Sequence, residues 1–231
     1  MQPPIEPGTI YLLRADLHAL PLPFEHFLAA ATPDEHARAA RFVHEADRRR
    51  HIIGRGLVRL FLASRLNCEP RALPIRLTEL GKPYIENGPS FNISHSGNVV
   101  LAAIAANGRV GVDVEAVRPI RDLPALARTS FIAEEVEAVL RFPPDDRLRP
   151  FFRVWSRKEA ILKALGLGLT ALADISVSCD PDCANALVRL ERPDESAQIW
   201  NILPIACGDD VEAAVAWDQS IRTTHLLDFP A

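Results

Sequence analysis

The sequence predicts an α+β protein built as two halves of similar style. Three observations carry that prediction. A strongly periodic helical stretch before residue 70 is followed by short apolar, extended runs up to residue 114. A second helical block then spans about Leu123 to Leu165. After it come further strand-like runs at Asp174–Ser178, Ala186–Leu190, Gln198–Leu203 and Val211–Trp217. The change of style falls at Ala106-Asn107-Gly108. This turn joins the apolar runs Val99–Ala105 and Arg109–Val114 and reads as a hairpin. It divides the chain into residues 1–107 and 108–231, and a cleft between two such halves is a natural ligand site.

Taken in order, Thr9–Leu20 reads as a strand and a loop. Thr32-Pro33-Asp34-Glu35 is a helix start: Thr32 at the N-cap, Pro33 at the first helical position and Glu35 closing a capping box. A second helix begins near Asp47. Ile53, Leu57, Leu60, Phe61 and Ser64 lie on one side of it, and Arg48, Arg49, Arg50 and Arg55 on the other. Gly54 and Gly56 weaken this helix and indicate close packing or a close ligand. Pro74–Leu80 reads as a strand, Gly81-Lys82-Pro83 as a turn, and Phe91-Asn92-Ile93-Ser94 as extended. Gly166-Leu167-Gly168 ends the last helix as a C-cap.

With 231 residues, of which 48% are hydrophobic and 24% charged, the chain is long enough for a core without cross-links. A net charge of −4 argues against coating nucleic acid, which needs a basic excess. No apolar run reaches the roughly 18–20 residues of a membrane span. The N-terminus has no secretory pattern, so a cytoplasmic protein is expected. The four cysteines fit reduced thiols. Cys179 and Cys183 form a lone C-x3-C pair, a weak zinc signal without a second pair.

Three stretches could carry chemistry. In Gly111-Val112-Asp113-Val114-Glu115, strand alternation puts Asp113 and Glu115 on one face and the valines on the other. Adjacent carboxylates repel unless a proton or cation sits between them. The pair is therefore either a solvated strand face or a seat for a hard cation such as Mg²⁺. In Trp155-Ser156-Arg157-Lys158-Glu159-Ala160-Ile161-Leu162-Lys163, Glu159 and Lys163 are one turn apart. They form either an ion pair worth about 0.2–0.5 kcal/mol, or a metal- or proton-handling carboxylate beside a phosphate-binding ammonium. In Phe91-Asn92-Ile93-Ser94-His95-Ser96-Gly97, Ser94 and His95 point to opposite faces. That disfavours a nucleophilic pair and leaves phosphate contact or a plain polar turn.

FNISHSG, VGVDVE and WSRKEAILKALGLGL, in this order and with RFVHEADRRRHIIGRGLVR and GKPYI upstream, resemble the Sfp-type 4′-phosphopantetheinyl transferases over about Thr32–Val177. The resemblance implies a pseudo-twofold fold of two similar α+β halves with coenzyme A in the cleft between them. It implies transfer of 4′-phosphopantetheine from coenzyme A to a serine of an apo acyl or peptidyl carrier protein, releasing adenosine 3′,5′-bisphosphate. By matching position, Asp113, Glu115 and Glu159 bind Mg²⁺, with Mn²⁺ a substitute, and Glu159 is a candidate acceptor of the serine proton. Lys163 meets the pyrophosphate. Ser94 and His95 meet phosphates, Arg50 the 3′-phosphate, and Lys82 coenzyme A. Of two upstream positions that are basic in some members, Arg38 can serve and Glu35 cannot. A metal-dependent nuclease and a silent carrier-binding module are the competing readings. A monomer is expected, with Arg121, Arg128 and the region of Phe131 as a docking surface for an acidic carrier.

Overall fold

The computed structural model describes residues 3–183, 185–188, 198–218 and 223–228. The chain divides into two compact units, Met1–Gly108 with Ile221–Ala231, and Arg109–Ser220. Both are α+β, and each lays a long helix on a sheet.

The first unit opens with strand β1 (Thr9–Asp16), then helices α1 (Phe24–Ala30), α2 (Pro33–Ala39) and α3 (Glu45–Leu66). A ribbon of β2 (Ile75–Leu77) and β3 (Pro83–Ile85) follows, then β4 (Ser90–Ser96) and β5 (Val99–Ala105). The α2 start follows its sequence signal. The Thr32 hydroxyl accepts from the Glu35 amide, and the Glu35 carboxylate accepts from the Thr32 amide at 2.9 Å. Glu35 has a second duty. Its carboxylate lies 2.8 Å from Arg59 Nε and 3.8 Å from Arg55 Nε, both on α3. Arg55 is thus buried against Glu35 rather than displayed on the solvent side of α3. Gly54 and Gly56 serve close packing. A β-carbon at Gly56 would press into the backbone of Phe27 on α1, and one at Gly54 into Ile93 on β4. Phe27, Ile53, Leu57, Leu62 and Phe91 form the centre of this core.

The second unit holds β6 (Val110–Ala116), α4 (Leu123–Ser130), α5 (Ala133–Leu140) and α6 (Leu148–Leu165). Strands β7 (Ile175–Ser176), β8 (Asn185–Val188), β9 (Gln198–Pro204) and β10 (Val211–Trp217) follow. The last two residues of the expected strand Ala186–Leu190 lie outside the described residues. Helix α6 packs on β6 and β10, and Gly166 ends it in the left-handed conformation that glycine adopts without strain. Phe131, Phe151 and Trp155 pack together in its core, the first two with ring centroids 4.9 Å apart. Phe131 is therefore core rather than docking surface, whereas Arg121 and Arg128 are exposed.

Two expectations need correction. The runs either side of Asn107-Gly108 do not form a hairpin. β5 pairs with β1 and β4, whereas β6 pairs with β10, almost a hundred residues later. Each run is paired along its length elsewhere, β5 with β1 and β4 and β6 with β10, so the turn changes sheet. The second correction concerns the chain end. Strand β11 (Thr223–Asp228) pairs in parallel with β1, giving a first-unit sheet in the order β11-β1-β5-β4. The tail of residues 108–231 thus returns to the first unit, and the second sheet runs β6-β10-β9-β8-β7.

Candidate active site

The second unit's polar centre starts from a glycine. Gly111, Asp113 and Glu115 share one face of β6 by alternation, and that face looks at α6. A β-carbon at Gly111 would collide with the Ala160 carbonyl and the Ala164 amide, so only glycine lets the helix backbone rest on the strand. The close approach carries α6 side chains onto the carboxylates. Asp113 is 2% exposed, and the Lys163 ammonium lies 2.5 Å from its Oδ1. Glu115 is half-buried and accepts from Arg118 at 3.2 Å.

The ion pair expected between Glu159 and Lys163 is replaced by this one. Among the described residues, Lys163 is paired with Asp113 across the helix–strand contact and not with Glu159 on its own helix. A lysine facing a buried carboxylate compensates a larger desolvation than one facing a half-buried one. Lys163 still acts on Glu159 through its charge. Burial raises the Glu159 carboxyl to about 7, and the Asp113 and Glu115 charges push the same way, against the opposing pull of Lys163. Glu115 is also raised, first by burial and then by Asp113, against Arg118 and Lys163. Three carboxylates and one ammonium thus form a single coupled group.

The other charges of the WSRKE stretch point elsewhere, because successive helical residues are about 100° apart. Arg157 is buried and donates to the carbonyls of Ser178 at 2.5 Å and Pro181 at 3.1 Å. Lys158 is 0% exposed, lies 2.6 Å from Glu135 on α5, and donates to the carbonyls of Leu172 and Ile175.

In the first unit, Arg50 donates to the carbonyl of Gly97 in the β4–β5 turn and to Asp47, both at 2.6 Å. Its hydrogen bond holds the Asp47 carboxyl low, helped by its own charge and those of His44 and His95. His51, which sequence reasoning passed over, sits among these cations. Burial, then Arg55 and Arg38, press its imidazole down to about 4, with Glu35 opposing and His95 adding to the depression. Its sequence signal was position: it follows Arg50 directly and precedes Arg55 by one turn. The structure thus gathers Arg38, His51, Arg55 and His95 electrostatically in one region, with Arg50 tied to Asp47 beside it. Ser94 is buried on β4 next to His95. Lys82 belongs to a different turn, that of the β2–β3 ribbon, where its amide donates to Thr78 Oγ1 at 3.0 Å.

The donor set can be tested against a metal ion. Asp113, Glu115 and Glu159 are hard oxygen donors, and burial followed by mutual repulsion raises Glu115 and Glu159, which suits a hard divalent cation. Among the described residues, no group of three or more His, Cys, Asp and Glu side chains is already drawn together around one point. The Lys163 ammonium is in contact with Asp113.

Comparison with known proteins decides the family. A family model described as the 4′-phosphopantetheinyl transferase superfamily matches residues 109–216. A second, described as 4′-phosphopantetheinyl transferase, N-terminal, matches residues 20–107. The 4′-phosphopantetheinyl transferase HetI of Nostoc sp. is 33% identical over 223 residues, 91% of each chain. The chain belongs to the 4′-phosphopantetheinyl transferase superfamily. The 4′-phosphopantetheinyl transferase Sfp of Bacillus subtilis is 31% identical over 173 residues, 74% of this chain and 75% of its own.

Membership in this superfamily makes the protein an enzyme that transfers phosphopantetheine to carrier proteins. It leaves the nuclease and the silent binding module without support. The two matched regions meet between residues 107 and 109, where the chain passes from one unit to the other. No described helix is long and apolar enough to cross a membrane.

Proposed function

We propose that this phosphopantetheinyl transferase uses coenzyme A as donor and the serine of an apo acyl or peptidyl carrier protein as acceptor, acting as a cytoplasmic monomer. The observation that carries the reading is the coupled group Asp113–Glu115–Glu159–Lys163, with Glu159 raised to about 7. The serine hydroxyl oxygen forms a new bond to the phosphorus that bears pantetheine. The bond from that phosphorus to the bridging oxygen of the pyrophosphate breaks, and adenosine 3′,5′-bisphosphate leaves. The hydroxyl proton passes to a carboxylate oxygen of Glu159, whose affinity for a proton near neutrality suits a general base. Lys163 turns its ammonium towards the pyrophosphate oxygens. Ser94 and His95 offer donors to phosphate, Arg38 and Arg50 take the 3′-phosphate, and Lys82 takes a further coenzyme A contact. Mg²⁺ or Mn²⁺, held by Asp113, Glu115 and Glu159, supplies charge neutralisation at the reacting phosphate when bound.

The test is incubation with coenzyme A, Mg²⁺ and an apo carrier protein, read as the mass gain of one phosphopantetheinyl group on the carrier. The gain is expected with Mg²⁺ and is lost in excess EDTA. Full transfer in EDTA would remove the metal from the reading, and no transfer to any apo carrier would overturn the coenzyme A assignment.

Lys163→Met is expected to raise the KM for coenzyme A and also to lower kcat. The ammonium meets pyrophosphate charge in both the bound and the transition state. Steady-state kinetics with coenzyme A as the varied substrate checks this, and a change confined to kcat would place Lys163 off the pyrophosphate.

A further inference from the structure

Glu212 stands on β10 directly opposite Glu115 of β6 in the antiparallel ladder. Opposed residues of such a pair project from the same face, and two like charges there are destabilising unless each is neutralised. Glu115 takes Arg118. Glu212, 8% exposed, takes two arginines of α6. Arg153 grips it side-on, with Nη2 3.2 Å from Oε1 and Nε 3.3 Å from Oε2, and Arg149 Nη1 lies 2.9 Å from Oε1. The same arginines fasten the surrounding backbone. Arg153 donates to the Cys179 carbonyl at 3.0 Å, and Arg149 to the Asp209 carbonyl.

The placement of this clamp matters. The contact at Gly111 lies four residues before Glu115 on β6, and the Glu212 clamp lies directly across from Glu115. On α6 the corresponding groups are Ala160 and Ala164 at one end and Arg149 and Arg153 at the other. Glu159 sits between them. A helix held at both ends against the sheet, and tied to Asp113 by Lys163, is kept from sliding or rolling, and of these contacts the Glu212 clamp touches none of Asp113, Glu115 and Glu159. A bidentate arginine–carboxylate pair has the directional geometry such a pin needs.

We propose that Glu212, gripped by Arg153 and Arg149, is a positioning residue that holds Glu159 in register with Asp113 and Glu115. The proposal rests on the transferase reading for its catalytic consequence. It takes Asp113, Glu115 and Glu159 as the cation-binding set.

The test compares wild type with Arg153→Met, Arg153→Lys and Glu212→Gln in the full-length chain. Three quantities are read: kcat at saturating coenzyme A and carrier, Mn²⁺ affinity without substrates from the paramagnetic resonance signal of free Mn²⁺, and the melting temperature. Arg153→Met and Glu212→Gln are expected to lower kcat by roughly ten- to a hundredfold, the scale of a small misplacement of reacting groups. They should also weaken Mn²⁺ binding, while the KM for the carrier holds. Arg153→Lys keeps the charge and loses the fork, so it recovers melting temperature more fully than kcat. Folded variants with kcat and Mn²⁺ affinity within twofold of wild type would overturn the proposal and leave the transferase reading intact. Should these variants fail to fold, Arg149→Met, which removes the more exposed arm of the clamp, carries the same expectation in weaker form and the same refutation. A wild type that transfers nothing removes the transferase reading, and the Mn²⁺ arm then decides the clamp alone. A wild type that neither transfers nor binds Mn²⁺ overturns both.

Discussion

Glu159→Gln is expected to lower kcat by about a hundredfold or more, the scale of losing a general base, with the protein still folded. The substitution keeps the shape of the side chain and removes a carboxylate that burial holds near neutrality. Its pH signature follows from the direction of the shift. In the native state the carboxyl gives up its proton around pH 7, above the ordinary value of 4.5. The rate under kcat/KM conditions should therefore rise through that region in the wild type and be flat there in the variant. A bound divalent cation would move the rise to lower pH. The stability sign is opposite. Between about 4.5 and 7 the native state holds more protons at this group than the unfolded state does, so Glu159 makes the protein less stable as pH rises through that window. From pH 5 to pH 8, urea melts should thus show the wild type losing stability relative to the glutamine variant. A variant with near wild-type kcat would return Glu159 to a purely structural role.

Lys158→Met is expected to be the most destabilising single change in the motif, at about 3–5 kcal/mol, the usual cost of breaking a buried ion pair from one side. All three ammonium donors are satisfied, by Glu135 and by the carbonyls of Leu172 and Ile175. Glu135 in turn accepts from the amides of Ile132 and Val177. Burial pushes the lysine down and the glutamate up, and each holds the other charged against that pressure. Methionine would strand the Glu135 charge and two carbonyls. The double change Lys158→Met with Glu135→Gln should recover part of the loss, because the stranded charge goes with it. Equilibrium denaturation of the three variants measures this, and additive losses would show that the two groups do not act as a pair.

The sequence carried the start of α2 and the end of α6, for physical reasons that are local, and left α1 unread. Thr32, Pro33 and Glu35 start α2 within four residues, and Gly166 stops α6. The strand alternation of Asp113 and Glu115 was equally local. What the sequence did not carry is pairing across distance. The turn at Asn107-Gly108 has every local mark of a hairpin. Nothing within ten residues of it reveals that β6 is claimed by β10 and β5 by β1. The partner of Lys163 was misread for the same reason, since Glu159 is near in sequence and Asp113 only in space. Glu35, read as a capping residue and an unsuitable phosphate ligand, keeps its capping role and also pairs with Arg59 and Arg55 of α3. His51 was hidden among arginines in the sequence, and its burial, which depresses it before Arg55 and Arg38 do, shows only in the fold.

The parallel pairing of β11 with β1 sets an order on the chain's synthesis. Strand β1 leaves the ribosome well before its partner Thr223–Asp228, with the whole second unit between them. Domains usually fold as units, the earlier one first. Here the earlier unit cannot complete its sheet until the whole of the later one has been made. Through that interval the outer edge of an apolar strand, Thr-Ile-Tyr-Leu-Leu, stays open, and an open edge invites pairing with another nascent chain. Expression conditions that slow elongation through the second unit should thus favour aggregation of an otherwise well-folded transferase.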